Sequence, residues 1–166
     1  MILNLVLLAK LLHILSVLAL VAGLVGRDLV FAWAGRTAEF AVVAALLQLS
    51  ERFERLLVRP GSELVFLFGL ITAWLERQPL LSVLGGARPA WAFVGLVAYS
   101  LTIPLVFLAL VPGTRRRRLA IGAALARQGM TADLDAALHD RSVLVTRRIE
   151  LLMILVVLIL MVLKPF

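Results

Sequence analysis

Lys10, His13 and Ser16 stand three residues apart in an otherwise apolar stretch. That spacing puts all three on one face of a helix. An imidazole can hold a proton, accept a hydrogen bond or ligate a metal, an ammonium pairs with acids, and a hydroxyl does both donor and acceptor work. The bland alternatives are definite too: Lys10 snorkels toward an interface, and His13 hydrogen-bonds a neighbouring helix. Ionisable groups at membrane depth are costly and point to function with a partner inside the bundle. Counting depth across the apolar stretches puts His13 opposite about Ser100, which makes Tyr99 and Ser100 its candidate neighbours. His13 is also placed to ligate a haem iron, either five-coordinate or with Met153 or Met161 as second ligand unless these only pack. His139, beside Asp140 and Arg141, reads as solvated.

Other chemistry is absent. The chain has no cysteine, which removes disulfides and thiolate sites. No zinc spacing, P-loop, nucleophile elbow or dinucleotide fingerprint occurs. Glu63, Glu76 and Glu150 fall at helix ends, too far apart in depth to form one carboxylate site. Arg59 with Glu63, Arg147 with Glu150 and Glu51 with Arg55 have the spacing of local helical pairs.

The elements that must carry these residues follow from composition. The 166 residues are 63% apolar and 16% charged, with a mean hydropathy of +1.06. A soluble domain of this size could not cover so much apolar surface, and disorder needs low hydrophobicity. A spanning helix takes about 20 mostly apolar residues. Four spans are expected in a single membrane domain covering residues 1–166: about 2–25, 58–76, 90–111 and 145–164. The second and fourth are long enough only when their preceding charged turns dip into the headgroup region. The first reads as a span rather than a signal peptide, because no basic start precedes its apolar run. The fold class is therefore all-α and polytopic.

Basic residues give the orientation. The formal net charge is +7 and 15 of the 17 basic residues are Arg. The connection Arg27 to Arg59 holds five and the connection Gly113 to Arg148 holds eight, against four elsewhere. Positive-inside counting puts these two connections in the cytoplasm and both termini outside. The charge thus needs no nucleic acid to explain it. The run Arg115, Arg116, Arg117 and Arg118 serves as a topology anchor and as a contact for anionic lipid headgroups or an acidic partner. Within Arg36 to Leu57, Val42, Leu46, Leu49, Phe53 and Leu56 form an apolar stripe of an amphipathic helix. Pro60 is expected to begin a new helix, Thr131 to cap one that runs straight into the last span, and Pro104 to kink the third span. Gly23, Gly26, Gly69 and Gly95 permit close helix approach.

Several stretches resemble a known group. K-L-L-H-I-L-S-V from Lys10, followed by A-G-L-V-G-R, is similar to the first helix of a superfamily of four-helix bacterial membrane proteins. That superfamily includes membrane protoporphyrinogen oxidase, copper-resistance D type proteins and predicted integral membrane proteins with no assigned activity. R-L-L-V-R-P-G from Arg55 and F-G-L at Phe68 to Leu70 resemble its second helix. R-R-I-E-L-L-M-I-L-V-V-L-I-L-M-V-L-K-P-F resembles the oxidase's final helix. The resemblance implies a four-helix bundle in the bacterial inner membrane and, for the oxidase, a b-type haem held through the first-helix histidine, here His13. The oxidase's third helix has a lysine early and a histidine late, and Ala90 to Val111 has neither, so the fit is to the branch without assigned activity.

Two functions follow as expectations. One is a non-catalytic accessory or scaffold subunit of a larger redox or energy-transducing membrane assembly, working with other subunits or as a homo-oligomer. The alternative is a haem b-associated redox protein, with His13 as axial ligand and Lys10 pairing a porphyrin carboxylate or an internal acid. A copper or small-solute transporter would need several Met or His at membrane depth.

Overall fold

A computed structural model describes residues 2–77, 91–105, 111–127 and 129–163. Every described element is a helix, so the fold is all-α. The chain opens with α1 (Ile2–Ala34), then α2 (Phe40–Phe53), a π-helical segment (Glu54–Val58) and α3 (Arg59–Leu75). After these come α4 (Trp91–Leu105), α5 (Val111–Arg127), α6 (Ala132–Leu138) and α7 (Arg141–Leu163). Among the described residues two stretches are long and apolar enough to cross a membrane, Leu3–Ala34 and Phe40–Leu75. The expected third span is described as α4 only, and residues 90 and 106–110 lie outside the described residues, as does the terminal Lys164-Pro165-Phe166. The backbone at Pro104 is still helical, within the last turn of α4.

Helix α1 does not stop at Val25. Gly26 alone does not stop it, since an isolated glycine is tolerated in a helix, so the helix carries Arg27 and Asp28 in its last third and extends to Ala34. Its 33 residues span about 50 Å at 1.5 Å per residue, well beyond a hydrocarbon core of about 30 Å.

Pro60 does not begin a separate helix either. The chain from Phe40 to Leu75 is helical throughout, with the π segment placed just before the proline. Proline has no N–H to give the carbonyl one turn back. The wider turn resolves this: the Arg59 N–H donates to the Glu54 carbonyl, five residues earlier. The extra residue also turns the helix. The face packed on α1 therefore runs Val43, Leu47 and Ser50, then Val58, Gly61 and Val65. The expected stripe is displaced from this packed face, and Val42, Leu49 and Leu56 are exposed. Small residues explain the preference: at Gly23 an added Cβ would stand 2.7 Å from the Leu57 Cβ, and at Gly61 it would stand 3.0 Å from the Leu20 backbone nitrogen.

Thr131 does cap α6, accepting from the Leu134 N–H, with Asp133 and Asp135 at the positive end of the helix dipole. Helix α6 does not run into α7. The chain breaks at His139, and Asp140 restarts it by accepting from the Ser142 N–H at 2.9 Å. Helix α3 ends with Arg77 in the left-handed region (φ 53°), its N–H bonded to the Trp74 carbonyl at 3.0 Å.

Two apolar clusters sit at different heights. Leu20, Leu24, Val58, Val65 and Ile154 form one, joining α1, the π segment, α3 and α7. Phe31, Ala34, Val43, Leu47, Ala120, Ala124, Leu134 and Leu138 form the other, joining the end of α1 to α2, α5 and α6. Between them along each helix lie Arg27, Glu54 and Glu150.

Candidate functional site: a cavity at His13 and a buried charge cluster

A cavity of about 520 Å3 lies among α1, α3, α4 and α7. That is within the size range of small-molecule sites, about 300–1,000 Å3. His13 and Lys10 line it from α1, Val65, Gly69 and Glu76 from α3, Tyr99 from α4, and Met161 from α7. The rest of the lining is apolar apart from Thr72, whose hydroxyl donates to the Phe68 carbonyl within its own helix. Two of the three face residues therefore meet here, but Ser16 does not: it is buried and its hydroxyl donates to the Leu12 carbonyl at 2.7 Å within its own helix.

His13 is held by α3. Its Nδ1 lies 3.1 Å from the Val65 carbonyl oxygen. A carbonyl only accepts, so Nδ1 carries the proton and in the neutral ring Nε2 keeps its lone pair. Gly69 makes room for the ring, since a Cβ there would stand 3.0 Å from Cε1. This is the arrangement of a histidine oriented for ligation, with one nitrogen tied to the backbone and the other available.

Lys10 pairs with Glu76, an internal acid at the end of α3. Lys10 keeps 43% of its side chain exposed and Glu76 24%, so the pair sits at the edge of the cavity. The left-handed turn at Arg77 fixes where Glu76 leaves α3. Of the expected neighbours of His13, Tyr99 shares its cavity and Ser100 is not among the lining residues. Tyr99 lines the same cavity, but its hydroxyl donates to the Ser62 carbonyl at 2.7 Å, and its ring stacks on Phe66. Ser100 is exposed and one residue out of phase. Met161 lines the cavity and its Cε packs near Gly95; Met153 is not among the lining residues.

A second constellation was not anticipated. Arg27, counted above as a loop residue, is 3% exposed. Its guanidinium donates to three carboxylates: Asp28 at 2.9 Å, Glu54 at 2.9 Å and Glu150 at 2.7 Å. Arg147 donates to Asp28 at 3.3 Å and lies 4.2 Å over the Phe31 ring. The expected local pairs give way to these longer ones. Glu150 meets Arg27 rather than Arg147, Glu51 accepts from Arg118 at 3.1 Å rather than from Arg55, and Arg59 approaches Glu54 at 4.0 Å rather than Glu63. The fork of Arg satisfies several planar acceptors at once, which suits it to such a node. The signal was present in the sequence: Arg27 and Asp28 stand between two apolar runs with no proline and only the isolated Gly26 beside them.

Arg115, Arg116 and Arg118 lie on α5, where Arg115 and Arg116 are exposed; the side chain of Arg117 lies outside the described residues. His139 is exposed, with Nδ1 3.0 Å from the Asp135 carbonyl. Among the described residues no three His, Cys, Asp or Glu gather as a metal site.

Over residues 7–165 the chain matches the family described as predicted integral membrane proteins (DUF2269), and it belongs to that family. No curated protein and no solved structure matches it.

Proposed function

We propose that this integral membrane protein crosses the bacterial cytoplasmic membrane four times, with both termini outside, and holds a haem b at His13 as a subunit of a larger redox or energy-transducing assembly. The observation that carries the proposal is the His13 ring: Nδ1 is engaged by the Val65 carbonyl, and the ring borders a cavity of ligand size. His13 would ligate the iron, Lys10 would meet a porphyrin carboxylate in exchange with Glu76, and Met161 and Tyr99 would line the site. A haem there supplies one-electron chemistry. Helix α7, with 23 residues, is about 35 Å long and sufficient for a span. With the buried Arg27 and Arg147 set aside, eleven basic residues in these connections against four elsewhere support the orientation. Arg115 and Arg116 on α5 suit anionic headgroups.

The test is an absorption spectrum of the purified protein, oxidised and reduced, from cells supplied with haem precursor. A Soret band is expected, lost in His13→Ala. A colourless protein after haem has been supplied overturns the haem assignment. One observation favours the scaffold alone: Lys10, Ser16 and the Tyr99 hydroxyl already have partners within the chain. That reading expects a colourless protein that co-purifies with other membrane subunits.

A further inference from the structure

Six residues line the cavity and are also exposed. They are Ile14 (55%) and Leu18 (60%) on α1, Phe66 (42%) and Leu70 (45%) on α3, and Leu158 (37%) and Val162 (72%) on α7. A side chain that borders a hollow and the exterior at once marks the rim of an opening. Helices α1 and α3 close on each other where His13 meets Val65 and Gly69, so the α1 and α7 residues flank an opening between those two helices, part way along their apolar stretches. Its rim is wholly aliphatic, so it faces acyl chains rather than water or headgroups.

The same two helices are joined at one end. Arg27 to Glu150 and Arg147 to Asp28 are the cross-links, and just above them Leu20 and Leu24 share a cluster with Ile154. Toward the start of α1, no hydrogen bond or ion pair links α1 to α7 among the described residues. The pair is pinned below the cavity and carries no polar cross-link along it among the described residues.

We infer that the cavity is filled sideways from the bilayer, through the gap between α1 and α7, and that its ligand is a membrane-dissolved molecule with an apolar body and one acidic head. The walls take the body, and Lys10 at the edge takes the head. This rests on the cavity being a ligand site and adds the route and chemical class, but it does not require the ligand to be haem.

The absence of cysteine makes the test direct. Leu18→Cys and Leu158→Cys are introduced together, the protein is placed in lipid nanodiscs, and the pair is bridged with a short bis-maleimide. The probe is a fatty acid carrying an alkyl diazirine, with photolabelled residues mapped by mass spectrometry. Without the bridge, label is expected on the interior residues Leu20, Val65 and Gly69. Bridging before the probe is added should lower that label at least fivefold, whereas bridging afterwards should leave it in place. Interior labelling that is indifferent to the bridge, or label confined to outward faces, overturns the inference. Haem enters neither result, so a colourless protein with bridge-sensitive labelling would sink the haem assignment and leave the route standing.

Discussion

At the scale of single residues, the two constellations differ in how much they depend on their own members. Arg27 has its charge balanced from three elements while only 3% exposed. Removing one partner from a buried ion pair leaves the other uncompensated, which costs about 3–5 kcal/mol. Arg27→Met is therefore expected to destabilise the protein by that order, read as a lower denaturation midpoint in detergent. Glu150→Gln, which keeps shape and one acceptor, should cost less. Lys10→Met should cost least, because both members of the Lys10–Glu76 pair reach the exterior and exposed pairs contribute about 0–1 kcal/mol. The face bearing Lys10 and His13 was legible in the sequence, because charge amid apolar residues at helical spacing is conspicuous. Its partners were not. Val65 acts through a backbone carbonyl, which no residue type announces, and Glu76 is 66 positions from Lys10. Arg27 was misread because loop-charge counting treats each Arg beyond an apolar run as outside the helix.

At the scale of elements, the approach of α1 to α3 depends on glycines that leave no side chain between the backbones. A Cβ at Gly61 would meet the Leu20 backbone at 3.0–3.1 Å, and backbone cannot swing aside as a side-chain tip can. Gly61→Ala should therefore lower stability by about 1–3 kcal/mol, the usual cost of overpacking. Gly122 on α5 has nothing within 4 Å of an added Cβ. Gly122→Ala should instead raise stability by about 0.5–1 kcal/mol, since glycine is a poor interior helix residue. Thermal unfolding of both variants in one detergent checks the pair, and equal shifts would contradict it. The existence of these helices was readable from apolar runs and caps such as Thr131. The face of α2 was not, because a four-three stripe assumes an unbroken α-helical period. The π segment before Pro60 adds a residue, and packing follows the small residues rather than the most apolar line.

At the scale of the whole molecule, the charged node separates an apolar cluster shared by α1, α3 and α7 from one shared by α2, α5 and α6. The second cluster contains the helix that bears the four-Arg run, so it is the part expected on the cytoplasmic side. A reporter fused after Phe166 should then be reached only from outside the cell membrane; labelling solely from the cytoplasm would reverse the orientation. Composition made the membrane setting plain, but it could not show that the node joins the first helix to the last. That join has a consequence for biosynthesis. As the chain leaves the ribosome, Arg27 emerges beside Asp28, and Glu54 follows within the same hairpin. Glu150 comes 123 residues after Arg27. Through most of translation the first helix therefore carries a guanidinium short of one hydrogen-bond acceptor, and α7 supplies it.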